Sequence, residues 1–181
     1  MSIILVNTPD TPRSRVLSVR TFQASLADVE KLGGFLQDAW REAGPGALGF
    51  TGATEETIRE ISAPEFLRGR LTNPDVALYI TEDAGRVVGF AATRRIDETA
   101  LELSGLIVLQ TATGKGVGTG LVRKAESVAR QAGYRRLIVK TEADNQPAIQ
   151  FYKKLGLRET GTEQEQVEGT KATVAILEKT I

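Results

Sequence analysis

The residues of this chain best suited to hold an anion are Thr113-Gly114-Lys115-Gly116-Val117-Gly118-Thr119-Gly120. They follow an apolar run, Leu103 to Leu109, and open a helical pattern that continues to Ala132. Glycine at alternate positions removes the Cβ atoms that would keep a ligand off the backbone. A helix starting there presents free N–H groups and the positive end of its dipole to the same point. That combination suits phosphate oxygens. Two better-known glycine motifs fail. A dinucleotide G-x-G-x-x-G read from Gly114 meets Thr119 at its third glycine, and read from Gly116 it meets Leu121. A Walker A loop ending in Gly114-Lys115 would need glycine where Leu109 stands and Ser or Thr where Gly116 stands.

Missing residue types exclude other chemistries. The 181 residues include no cysteine and no histidine. Disulfides, thiolate nucleophiles, zinc clusters and Ser-His-Asp catalysis are therefore excluded. Proton transfer must fall to Glu, Asp, Tyr, Lys or water. Acyl transfer from this chain must be direct, with no acyl-cysteine intermediate. Lys+Arg and Asp+Glu balance at 23 each, so no global basic field favours nucleic acid or an anionic membrane. No apolar run reaches the length of a membrane span, and the first residues, Met1 to Val6, lack a basic leader. Cytoplasmic location is the expectation.

The elements that must position these residues follow from periodicity and punctuation. Residues 1–15 read as a flexible leader, and residues 16–181 as a single domain of ordinary size. Val16 to Phe22 reads as a strand, and Ser25-Leu-Ala-Asp28 as a capping box. The helix that follows carries Leu26, Val29, Leu32, Leu36, Ala39 and Trp40 and is weakened by Gly33-Gly34. A glycine-rich loop covers Ala43 to Gly52. The next helix starts near Thr54 and is broken or kinked at Pro64. Val76 to Thr81 and Arg86 to Thr93 form a hairpin around Asp83-Ala-Gly85, and Thr99 to Leu109 is the strand before the glycines. Val117, Leu121, Val122, Ala125, Val128, Ala129 and Ala132 make one apolar stripe that stops at Gly133. After a strand at Arg136 to Lys140, Asn145 or Asp144 caps a helix that ends at Gly156. Two strands close the chain around Glu168-Gly169, the last spanning Thr173 to Leu177. The order βααβββαβαββ predicts a mixed α/β sheet with helices on both faces.

This order and two segments resemble the GNAT superfamily of N-acetyltransferases over Val16 to Ile181. The family signature Q/R-x-x-G-x-G/A reads here Thr113-Gly114-Lys115-Gly116-Val117-Gly118, with Thr113 in place of the usual Arg or Gln. The late-helix pattern N-x-x-A-x-x-x-Y-x-K-x-G-[FL] is met by Asn145, Ala148, Tyr152, Lys154, Gly156 and Leu157. The resemblance implies a mostly antiparallel mixed sheet of six to seven strands. It implies acetyl-CoA as co-substrate and an amine, of small molecule or peptide, as acceptor, and it admits a homodimer.

The same resemblance assigns the site. Thr113 through Thr119, with Lys115 and Val117 among them, cradle the pyrophosphate. Leu106, Ile107 and Val108 offer main-chain groups to the cofactor arm and the thioester carbonyl. Asn145 and Ala148 meet that arm, and Tyr152 lies near the sulfur as proton donor. A Glu about six residues before the strand end is common in the family, which points to Glu102 as general base. Strand alternation places Glu102 with Ser104, Leu106 and Val108 on one face, and Gly105 is a candidate bulge. Another acyl-CoA or acceptor atom, or a catalytically silent CoA-sensing module, are the competing readings.

Overall fold

A computed structural model describes residues 19–43, 54–167 and 170–181. The leader, residues 16–18 of the expected first strand, the glycine-rich loop after Ala43 and the Glu168-Gly169 turn lie outside the described residues.

Among the described residues seven strands form one sheet: β1 (Val19–Gln23), β2 (Val76–Asp83), β3 (Arg86–Arg95), β4 (Ala100–Val108), β5 (Arg136–Glu142), β6 (Arg158–Val167) and β7 (Thr170–Thr180). Their spatial order is β1-β2-β3-β4-β5-β7-β6. Every pairing is antiparallel except β4 with β5. A parallel pair needs a long crossover. Here the crossover is helix α4 (Val117–Gln131), whose start is the glycine segment.

Helix α4 packs against β3 and β4. With α5 (Gln146–Lys154) it buries Val117, Leu121, Val122, Ala125, Ala148 and Tyr152 over one face of the sheet. The opposite face is covered by α1 (Val29–Ala43), α2 (Glu55–Ile61) and α3 (Pro64–Thr72), around Leu32, Phe35, Leu36, Ile58 and Leu67. These three helices replace the expected two. Pro64 occupies the first position of α3, where its missing N–H costs nothing, so of the break and the kink expected there the structure has the break.

Local signals are realised closely. The Ser25 N–H donates to Asp28 Oδ2 at 2.8 Å and Ser25 Oγ accepts from the Ala27 N–H at 3.3 Å, ahead of α1. Thr54 caps α2 by accepting from the Thr57 N–H at 3.1 Å. Between β2 and β3, Ala84 and Gly85 adopt φ of 50° and 82°, the geometry of a two-residue hairpin turn. The Gly33-Gly34 pair does not interrupt α1. A Cβ on Gly33 would lie 2.7 Å from the Ser62 carbonyl oxygen, so this glycine lets the end of α2 press against α1.

Candidate functional site

The site is organised by the place where β4 and β5 part. Their ladder runs only from Ala100–Arg136 to Leu103–Val139. Beyond it β5 continues against β7, and β4 continues against β3. Ser104 to Val108 therefore has no strand neighbour on its β5 side among the described residues. The Leu109 N–H donates to Val88 O at 3.0 Å on the β3 side. In an antiparallel ladder consecutive residues direct their main-chain groups to opposite edges. Val108 and Leu106 thus offer theirs to the opening, whereas Ile107 directs its own to β3.

A register shift corrects the expected alternation. Ala92 pairs with Gly105 but Thr93 pairs with Leu103, so Ser104 is an extra residue in β4. Such a bulge reverses the pleat. Leu106 and Val108 pack into the core under α4, together with Leu101 and Leu103. Glu102 and Ser104 belong with Ile107 on the α1–α3 face instead.

At the far end of the opening the backbone turns into α4. Gly114 and Gly116 have φ of 75° and 81°, and Gly116 is the N-cap of the helix in the left-handed conformation. An L side chain there is strained. A Cβ on either glycine would meet nothing within 4 Å, so both face open space. The first helical bond is Gly120 N–H to Gly116 O at 2.9 Å. The N–H groups of Val117, Gly118 and Thr119 are left without an intrahelical acceptor. These residues, with Thr113, Leu106 and Val108, line a cavity of about 350 Å³. Thr113 Oγ1 donates to Leu109 O at 3.3 Å, so it braces the corner from within. Lys115 is exposed, and its Nζ donates to Thr111 O at 2.7 Å.

Helix α5 closes the other side. Asn145 caps it, its Oδ1 accepting from the Ala148 N–H at 3.2 Å. Its Nδ2 is buried with no partner among the described residues, a donor still to be used. Phe151 lines the cavity and was not singled out from the sequence. It packs on Gly118, where a Cβ would stand 3.4 Å from Phe151 Cζ. Tyr152 is 1% exposed, and its ring meets Phe151 edge-on at 5.2 Å. Burial pushes its phenol well above the usual range, so it stays protonated. Its hydroxyl makes no hydrogen bond among the described residues. Of the residues expected at the site, Ile107, Lys115, Asn145, Ala148 and Tyr152 do not line this cavity; Tyr152 lies behind Phe151, which does.

Glu102 is 3% exposed. Its Oε2 accepts from Arg94 Nε at 3.0 Å and from Arg94 Nη2 at 2.6 Å. The two residues are cross-strand partners in β3 and β4. Among the described residues no group of His, Cys, Asp and Glu is arranged to hold a metal ion.

Residues 36–157 match the acetyltransferase (GNAT) family. The chain belongs to that family. An uncharacterised N-acetyltransferase of Mycobacterium tuberculosis is 35% identical over 92 residues, covering 51% of this chain and 59% of its own length. The mycothiol acetyltransferase of Actinosynnema mirum is 30% identical over 122 residues, covering 58% of this chain and 41% of its own. This chain thus spans only part of those relatives. Among solved structures, the PaiA N-acetyltransferase of Thermoplasma acidophilum in complex with coenzyme A superposes with a TM-score of 0.68 at 22% identity, covering 91% of this chain and 100% of that one. The shared fold is the GNAT fold: a seven-stranded, mostly antiparallel sheet between helices.

Proposed function

We propose that this protein transfers the acetyl group of acetyl-CoA directly to an amine. The observation that carries the reading is the end of the β4–β5 ladder at Leu103–Val139, beside the glycine-capped start of α4. One opening thereby joins free main-chain donors for a carbonyl to free helix N–H groups for phosphate. The residues present suit coenzyme A. The glycine corner leaves room where side chains would intrude, and the orphaned Asn145 Nδ2 is a buried donor at the start of α5. The names of the matched relatives support N-acetyl transfer. The reading takes residues 16–181 as the catalytic domain and the cytoplasm as its setting.

In this mechanism the acceptor nitrogen forms a bond to the thioester carbon, and the carbon–sulfur bond breaks. The main-chain N–H of Val108 or Leu106 stabilises the carbonyl oxygen as charge develops on it. An alkyl ammonium has a pKa of about 10, so at neutral pH a base must accept its proton. Glu102 takes that role through water. Oε2 is engaged by Arg94, and Oε1 accepts no hydrogen bond among the described residues. Tyr152 meets the departing thiolate. Its raised pKa makes it a hydrogen-bond donor to sulfur, with the final proton delivered from solvent.

The test is thiol release from acetyl-CoA with a panel of primary amines, alongside melting with and without acetyl-CoA. The expected result is amine-dependent release and a raised melting temperature. No release with any amine, despite a raised melting temperature, would favour a CoA-sensing module.

A further inference from the structure

A second cavity, of about 210 Å³, lies on the opposite face of the sheet beneath α1, α2 and α3. Its wall along β4 is Ser104, Gly105 and Ile107, the same stretch whose other edge is the opening described above. Most of its lining is apolar, including Leu36, Phe66, Leu78 and Phe90. Two arginines, Arg70 of α3 and Arg94 of β3, also line it.

The charges in this cavity do not balance. Arg94 is neutralised by Glu102 through the two bonds to Oε2. Arg70 is half-buried and makes no ion pair or side-chain hydrogen bond among the described residues. Arg68, two residues earlier on the same helix, pairs at the surface with Glu65 at 3.9 Å, so Arg70 is turned away from that solution. Burial, and then repulsion from Arg94, hold the Arg70 guanidinium below its ordinary pKa, with Glu102 opposing. An arginine remains charged under such conditions. A partly desolvated guanidinium in an apolar lining is costly unless an anion meets it. Its planar fork matches a carboxylate in two parallel hydrogen bonds.

Resting on the acetyl-transfer reading, we infer that this cavity is the acceptor site and that the acceptor is a primary amine carrying a carboxylate and an apolar side chain, the chemistry of a free apolar α-amino acid. The carboxylate pairs with Arg70 and the side chain fills the lining between α1 and β3. The amine is thereby held toward the bulge of β4, across the strand from the opening that receives the thioester.

The experiment compares kcat/KM, per concentration of free amine, for L-leucine, L-methionine and L-phenylalanine with that for their C-terminal amides, which keep the side chain, lose the carboxylate charge and carry a less basic amine. Free alkylamines of similar size complete the panel. The acids are expected to exceed the amides by about 10- to 100-fold, because a half-buried charged donor left unpaired penalises the amide. In Arg70→Gln the acid-to-amide ratio should fall toward one, with Arg70→Lys in between. Melting with acetyl-CoA checks that each variant is folded. A ratio near one in the parent protein, a ratio unchanged in Arg70→Gln, or turnover of alkylamines without turnover of any acid overturns the inference and leaves acetyl transfer standing. Absence of both thiol release and any melting shift with acetyl-CoA removes both readings together.

Discussion

The phenol of Tyr152 and the carboxylate of Glu102 are both buried, but they sit in different electrostatic settings. Among the described residues Tyr152 has no hydrogen-bond partner and no nearby charge to offset its desolvation, so it is neutral and free to donate. Tyr152→Phe keeps the ring, its edge contact with Phe151 and the packing. It is expected to lower kcat by about ten- to a thousandfold, the range of a general-acid contribution, with little change in melting temperature or in acetyl-CoA affinity. Retention of full turnover would hand sulfur protonation to water alone. Glu102 is half committed to Arg94 and half available. Glu102→Gln preserves an acceptor for Arg94 but removes the base. The rate should fall by about a hundredfold near neutral pH. It should recover toward the parent rate as pH approaches the pKa of the amine, where free amine is abundant. A loss equal at every pH would make Glu102 a positioning residue for Arg94 instead.

At the scale of elements, the close approach of α1 and α2 depends on one missing methyl group. Gly33 costs helix α1 some intrinsic stability, on the order of 1 kcal/mol relative to alanine. The return is contact: Ser62 O lies 2.7 Å, and Leu67 Cδ1 3.7 Å, from where its Cβ would be. Gly33→Ala should therefore destabilise the protein by about 1–3 kcal/mol, the range for overpacking, whereas Gly34→Ala, with open space around its Cβ, should stabilise it. Thermal or urea unfolding of the two variants checks the contrast. Equal effects would mean that α2 yields readily. Because α2 and α3 roof the Arg70 cavity, Gly33→Ala is also expected to raise the acceptor KM more than it disturbs acetyl-CoA binding.

At the scale of the molecule, one sheet separates two sites. The 350 Å³ cavity meets the α4 start, and the 210 Å³ cavity lies under α1–α3. A ligand that binds only the folded corner stabilises the whole, by about 2.7 kcal/mol at a concentration of 100 times Kd. For a chain of this size that amounts to several degrees in melting temperature. Gly116→Asp puts a side chain into a left-handed position and a carboxylate against phosphate, so it should abolish the acetyl-CoA shift. A shift of parental size in that variant would move the binding site elsewhere. Among the described residues no helix is long and apolar enough to cross a membrane. Much of this organisation was legible in the sequence because it is local. Alternating glycines before an apolar stripe, the Ser25 and Asn145 caps and the Asp83-Ala-Gly85 turn each act within a few residues, and their chemistry survives in any context. The absence of Cys and His likewise settled which reactions were open. The tertiary structure alone decided what depends on distant partners. Strand alternation assigned Glu102 to the face of Leu106 and Val108, but pairing with β3 inserts Ser104 as a bulge and turns Glu102 to the other side, against Arg94. Gly33 looked like a weak point until Ser62, far along the chain, was packed upon it. Arg70 had no distinguishing neighbour in the sequence. It stands out only because the packing of α3 against β2 half-buries a charge in the cavity that Arg94 also lines and leaves it with no ion pair among the described residues, a consequence of desolvation that no local pattern encodes.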